Sequence, residues 1–188
     1  MGIVIGFSLA FIVLAGLDFA STFAALDAGG REGNALAIDV RGEFDIAAAI
    51  KLNLLGLVAV LGMASFAVVN RHAIPEPYLH QPWRSFADWL NPGVVFTPFL
   101  KRFRGRAAFQ FLVLPVAFFA FRTFAIINNL LIAHLGTGPA RQLAESLGPQ
   151  VPTTIVIAIL ALSVMIPAAM LATFVMAAIE RRRRSAKA

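Results

Sequence analysis

The sequence predicts an all-α membrane protein, a bundle of four transmembrane helices with both termini cytoplasmic and a cytoplasmic interfacial helix between spans two and three. Three observations lead there. Of 188 residues, 59% are hydrophobic and 14% charged, whereas a soluble domain is about half apolar and about a quarter charged. The apolar residues gather in four stretches, each longer than the ~20 residues needed to cross a hydrocarbon core. Lys and Arg are unevenly shared among the connections. With no cysteine in the chain, disulfides, thiolate metal sites and cysteine nucleophiles are excluded.

The whole chain reads as a single transmembrane domain. The first span covers about residues 2–28. Its segment Ile3 to Leu17 has the length of a secretory h-region, but no Lys or Arg precedes it and no A-x-A site follows, so it is expected to stay as a span. The second span covers about 46–69, the third 107–135 and the fourth 151–179. The fourth carries no charge and contains Pro167, expected to bend it, with Ser163 one turn earlier available to a freed carbonyl. Direction follows from the basic residues. Six lie in the segment 70–106 and five in the tail 180–188, against two in the loop 29–45 and one in the loop 136–150. The positive-inside bias therefore places 70–106 and the tail in the cytoplasm, as expected for a multi-pass protein of a prokaryotic inner membrane. The net charge of +6 sits beside apolar spans, which points to anionic headgroups as partners rather than nucleic acid.

The 70–106 segment has structure of its own. Pro75, Pro77 and Pro82 block a helix early on. PWRSFADWL then sets Trp83, Phe86, Trp89 and Leu90 at helical spacing, a short interfacial helix with Trp83 and Trp89 at headgroup depth. His72, Glu76 and His80 have metal-ligand chemistry, but the prolines are expected to deny them helical i, i+4 presentation. No metal or cofactor is expected. Phosphate loops, a nucleophile elbow and a calcium loop are all missing from the sequence, so an enzyme is the less favoured class.

Three ionisable side chains fall inside the spans: Asp18, Lys51 and Arg122. Each costs ~2.5–3.5 kcal/mol at a helix centre, which calls for pairing. Helix rise puts Asp18 ~14 Å and Arg122 ~20 Å below the outer surface. Helical side chains lean toward the N-terminus, which sends Asp18 toward Arg122 and Lys51 outward. Asp18 with Arg122 is the expected pair. Lys51 either snorkels to the outer interface or joins them. Thr22 shares the face of Asp18, and Asn129 that of Arg122; Asn53 sits at a similar depth. Together these six residues form an expected intramembrane polar cluster. Its role is either a buried lock fixing which helices meet or a functional site, such as a coupling carboxylate or a pocket for an anion or headgroup.

The pattern Asp18-x3-Thr22-x3-Leu26-x2-Gly29-x2-Glu32-x-Asn34, followed by Lys51 in the next helix, resembles a family of small prokaryotic integral membrane proteins of unknown function. That family has D-x3-T-x3-L-x2-G-x2-E-x-N-P, so the chain departs from it at Ala35. The resemblance implies that Asp18, Thr22, Glu32, Asn34 and Lys51 belong together, and it brings no activity with it. Gly29 and Gly30 can end the first helix in a left-handed turn, folding the outer-loop residues Glu32 and Asn34 back over the bundle, with Glu32 an acceptor for Lys51.

Three functions follow as expectations. The first is a non-enzymatic scaffold, accessory subunit or homo-oligomer, to which Gly2-x3-Gly6 and Ala168-x3-Ala172 lend close-approach motifs. The second is a small transporter or channel with Asp18 as the proton- or cation-coupling residue. The third is a membrane enzyme acting on lipid, with Ser21 or Thr22 as nucleophile. The topology is directly testable: a reporter fused after Ala188 should be active only as a cytoplasmic fusion, and one inserted in the 29–45 loop only as an external one. The reverse pattern would invert the bundle.

Overall fold

A computed structural model describes residues 2–30, 37–38, 43–87 and 101–186 of the chain. Among them the secondary structure is helical apart from an isolated antiparallel bridge between Ile38 and Phe44. Four helices are long and apolar enough to cross a membrane: α1 (Gly2–Asp27), α2 (Ile46–Asn70), α5 (Lys101–Leu135) and α7 (Thr153–Ser185). Between α2 and α5 lie a 3₁₀ turn at Arg71–Ala73 and the short helices α3 (Glu76–His80) and α4 (Arg84–Ala87). Beyond α5, nine residues form α6 (Pro139–Leu147) in the connection to α7. The end carrying α3, α4 and the tail is called the basic end below, and the opposite one the far end.

Local chemistry sets these boundaries. Gly29 adopts φ +81°, and the Gly30 and Gly29 amides donate to the Ala25 and Leu26 carbonyls at 2.8 and 2.9 Å, the 6→1 and 5→2 bonds of a Schellman stop. Asp45 caps α2, its Oδ1 accepting from the Ala48 amide at 3.0 Å. At α6 the first-turn Pro139 needs no partner for its nitrogen, and the Asn128 side chain of α5 accepts from the Ala140 amide at 3.0 Å. Gly136 (φ +69°) ends α5 and Gly148 (φ +91°) follows α6.

Several expectations change here. The basic run KRFRGR belongs to α5 and the run RRRR to α7, so both spans continue as helices past their apolar stretches. At 1.5 Å per residue, the 35 residues of α5 reach ~52 Å, well beyond a ~30 Å hydrocarbon core. The loop before α7 holds helix α6, which its glycines and proline had concealed. Pro77 occupies the first turn of α3, where proline is tolerated, so Glu76 and His80 do meet at i, i+4, with His80 Nε2 3.1 Å from Glu76 Oε1. Ser163 donates to the Ile159 carbonyl at 2.7 Å and so does not serve the carbonyl that Pro167 leaves free. Trp83 is 57% exposed, with the Arg84 guanidinium over its ring at 5.9 Å. Trp89 lies outside the described residues. Tyr78, Leu79 and Ser85 are buried, so this segment plugs the end of the bundle as well as lying along it.

Helix α5 is the axle. It packs against α1, α2 and α7, α1 also packs against α2, and α7 receives α3 at one end and α6 at the other. The tight core sits toward the basic end, where Ala67, Ala108, Ala172 and Ala177 let backbones approach around Leu79, Phe109, Leu112 and Val113. An ionic clasp closes that end. Glu180 of α7 is 1% exposed; Arg71 Nε donates to its Oε1 at 2.9 Å and Arg183 Nη1 to its Oε2 at 3.1 Å. Arg184 reaches the Glu76 carboxylate at 2.6 Å and the Ile74 carbonyl at 2.9 Å. Two partners make burial of the Glu180 charge tolerable, and removing either would strand it.

Among the described glycines the closest approach is at Gly105, where an added Cβ would stand 1.8 Å from the Ala73 carbonyl oxygen. Backbone cannot yield as a side-chain tip can, so overpacking of ~1–3 kcal/mol or more follows. Gly105→Ala should therefore lower thermal stability in a neutral detergent. Gly62→Ala, where a Cβ meets open space, should leave it unchanged or raise it by up to ~1 kcal/mol.

Candidate functional site

Toward the far end the helices separate around a cavity of about 950 Å³. Every span contributes: Phe11, Asp18, Phe19 and Thr22 from α1, Asn53 and Gly56 from α2, Phe118, Phe121, Arg122, Phe124, Asn128 and Asn129 from α5, and Thr153, Val156 and Leu160 from α7. The cavity extends to Gly29, Gly136 and Arg141 at the far end. Six phenylalanines stand among its lining residues beside charged, amide and hydroxyl groups, and apolar surface with convergent polar groups is the usual make-up of a ligand pocket.

The polar centre is an ion pair. Arg122 Nε stands 3.2 Å from Asp18 Oδ2, with the two side chains 11% and 26% exposed. Arg122 Nη2 donates to Asn53 Oδ1, whose own Nδ2 donates to the Ala49 carbonyl at 2.9 Å. The guanidinium lies 4.8 Å from the centre of the Phe11 ring and 5.5 Å from that of Phe118, so aromatic faces cover part of the cation. Phe11 is itself 2% exposed, with its ring pressed against Gly56; a Cβ there would meet the ring at 2.8 Å. Asp18 and Phe11 of α1 and Asn53 of α2 thus meet a single guanidinium carried by α5. Among the described residues, Arg122 Nη1 is the one buried side-chain nitrogen or oxygen with no hydrogen-bond partner.

The remaining expected members divide. Asn129 Nδ2 donates to Thr22 Oγ1 at 3.1 Å and to Ser21 Oγ at 3.4 Å, tying α5 to α1 one to two turns nearer the far end. Ser21 donates to the Asp18 carbonyl at 3.0 Å, which occupies the hydroxyl once offered as a nucleophile. Lys51 is exposed and takes no part in the Asp18–Arg122 pair. Glu32 and Asn34 lie outside the described residues. Sequence reasoning passed over Asn128 as a cap for α6 and the Glu180 clasp entirely. The signal for the clasp was present in Glu180, the sole acid at the junction of an apolar span and a basic tail.

No family model matches the chain, and comparison with curated proteins and with solved structures likewise gives no match. Function must therefore be argued from the site.

Asp18→Asn leaves the Arg122 charge without a counter-charge. Breaking a fully buried pair costs ~3–5 kcal/mol; because Asp18 keeps a quarter of its surface, roughly 1–3 kcal/mol is expected. In thermal unfolding in detergent, Asp18→Asn should fall clearly below Asp39→Asn, a loop variant. Equal stability of the two would remove the pair from the centre of the site.

Proposed function

We propose that the chain is a small carrier or channel of a prokaryotic inner membrane. It holds a small molecule in the far-end cavity, with Asp18 and Arg122 as the groups the molecule meets. The basic end faces the cytoplasm and meets anionic headgroups, which turns the cavity outward. One observation carries this reading: the charged pair floors a cavity of about 950 Å³ instead of being sealed between packed helices. A lock needs no empty volume, and a void of that size forfeits packing that the same helices achieve at the basic end. Asp18, a quarter exposed, is then the side chain able to exchange a proton or cation with the cavity's contents.

A second reading has an observation of its own. Arg122 draws α1, α2 and α5 together, which suits a scaffold, an accessory subunit or a homo-oligomer in which the charges serve assembly alone.

The native chain lacks cysteine, so single cysteines report access without background. Thr22→Cys, in the cavity wall, should react with a charged, membrane-impermeant thiol reagent added outside intact cells. Leu112→Cys, in the closed core, should not. An unreactive Thr22→Cys would return the pair to the role of a structural lock.

A further inference from the structure

The floor of the cavity has a definite electrostatic form, and it selects a ligand class. Asp18 and Arg122 sum to zero charge. Arg141 at the rim is committed to Glu145 at 2.9 Å and to the Gly136 carbonyl at 2.8 Å. A ligand with net charge would therefore bring an uncompensated charge into a low-dielectric space, which is costly. Yet the pair is not self-sufficient. Arg122 spends Nε on Asp18 and Nη2 on Asn53, leaving the two N–H groups of Nη1 buried without an acceptor among the described residues. The Asp18 side chain, for its part, lines the cavity and is 26% exposed. Arg122 and Asp18 both line the cavity, so a cation and an anion stand side by side in its wall. Phe19, Phe121 and Phe124 line the same space of about 950 Å³.

We propose that the cavity takes a zwitterion carried on an apolar body, with its anionic oxygens toward the Arg122 guanidinium and its cationic nitrogen against Asp18. Such a ligand is neutral as a whole, so it adds no net charge, while each of its charges meets the opposite one. Anion and guanidinium gain a charge-assisted hydrogen bond, and the cation is held by Asp18 without breaking the existing pair. The apolar body fills the aromatic part of the cavity. This identification rests on the cavity being a ligand site, and the two can fail separately. An unreactive Thr22→Cys removes the site itself, whereas a reactive one without the preference described next removes only the ligand class.

Three twelve-carbon probes share one body and differ in head: dodecyl betaine (zwitterion), dodecanoate (anion) and dodecyltrimethylammonium (cation). Each is titrated calorimetrically, below its micelle-forming concentration, into the full chain held in a neutral maltoside detergent. Dodecyl betaine should bind ~10-fold or more tightly than either singly charged probe, the effect of one charge-assisted hydrogen bond. Asp18→Asn should then shift the preference toward dodecanoate, and Arg122→Gln toward dodecyltrimethylammonium. A purely structural pair would lose stability without such a reversal. Equal affinity for the three probes, no binding of the betaine, or a preference untouched by Asp18→Asn would each overturn the proposal. The wild-type comparison alone decides it if a variant fails to fold.

Discussion

A charge in hydrocarbon must find its counter-charge within the protein, and the Asp18–Arg122 pair is where this chain meets that demand. Arg122 cannot shed its proton and is only 11% exposed, so its position is dictated by what neutralises it. Asp18 supplies charge from α1, Asn53 a polar oxygen from α2, and Phe11 and Phe118 aromatic faces. Helix association in a membrane lacks the hydrophobic driving force available in water. One guanidinium that needs groups from several helices is therefore an efficient way of specifying which helices meet and in what register.

The two ends of the bundle divide the work. At the basic end, alanines and Gly105 bring backbones together, and the Glu180 clasp fastens α7 to the 71–76 segment. That end is dense and closed. At the far end α6 packs against α7, with Asn128 capping it and Asn129 stitching α5 to α1, and the cavity lies among them. Concentrating cohesion at one end frees the other to hold a cavity, and the ion pair stands at the boundary between them. That placement explains how one pair of residues can organise the fold and also line a cavity.

Much of this was legible in the sequence because bilayer physics leaves few choices. Span length, the polarity of the connections and the cost of charge in oil lead directly to four helices and to a partner for Asp18. Gly29 and Gly30 announced the stop of α1. Other features were hidden for physical reasons. A run such as ERRRR reads as a solvated tail: its lone glutamate is a hint of pairing, but nothing local names the partner, an arginine more than a hundred positions away. Helix α6 is capped by Asn128 from another helix, so its start signal lies outside its own segment. The cavity is least legible of all, because a void depends on how helices diverge, and hydrophobic periodicity is the same whether a face meets a neighbour or an empty space.

The most direct test of the pair is charge reversal. Asp18→Arg alone sets two cations against each other, and Arg122→Asp alone sets two carboxylates together; both should accumulate poorly in membranes and unfold early in detergent. Combined in one chain, they restore opposite charges across the same gap, and much of the lost thermal stability should return. If the double variant is as damaged as the two single changes added together, or if either single reversal is tolerated, the bundle does not depend on this ion pair.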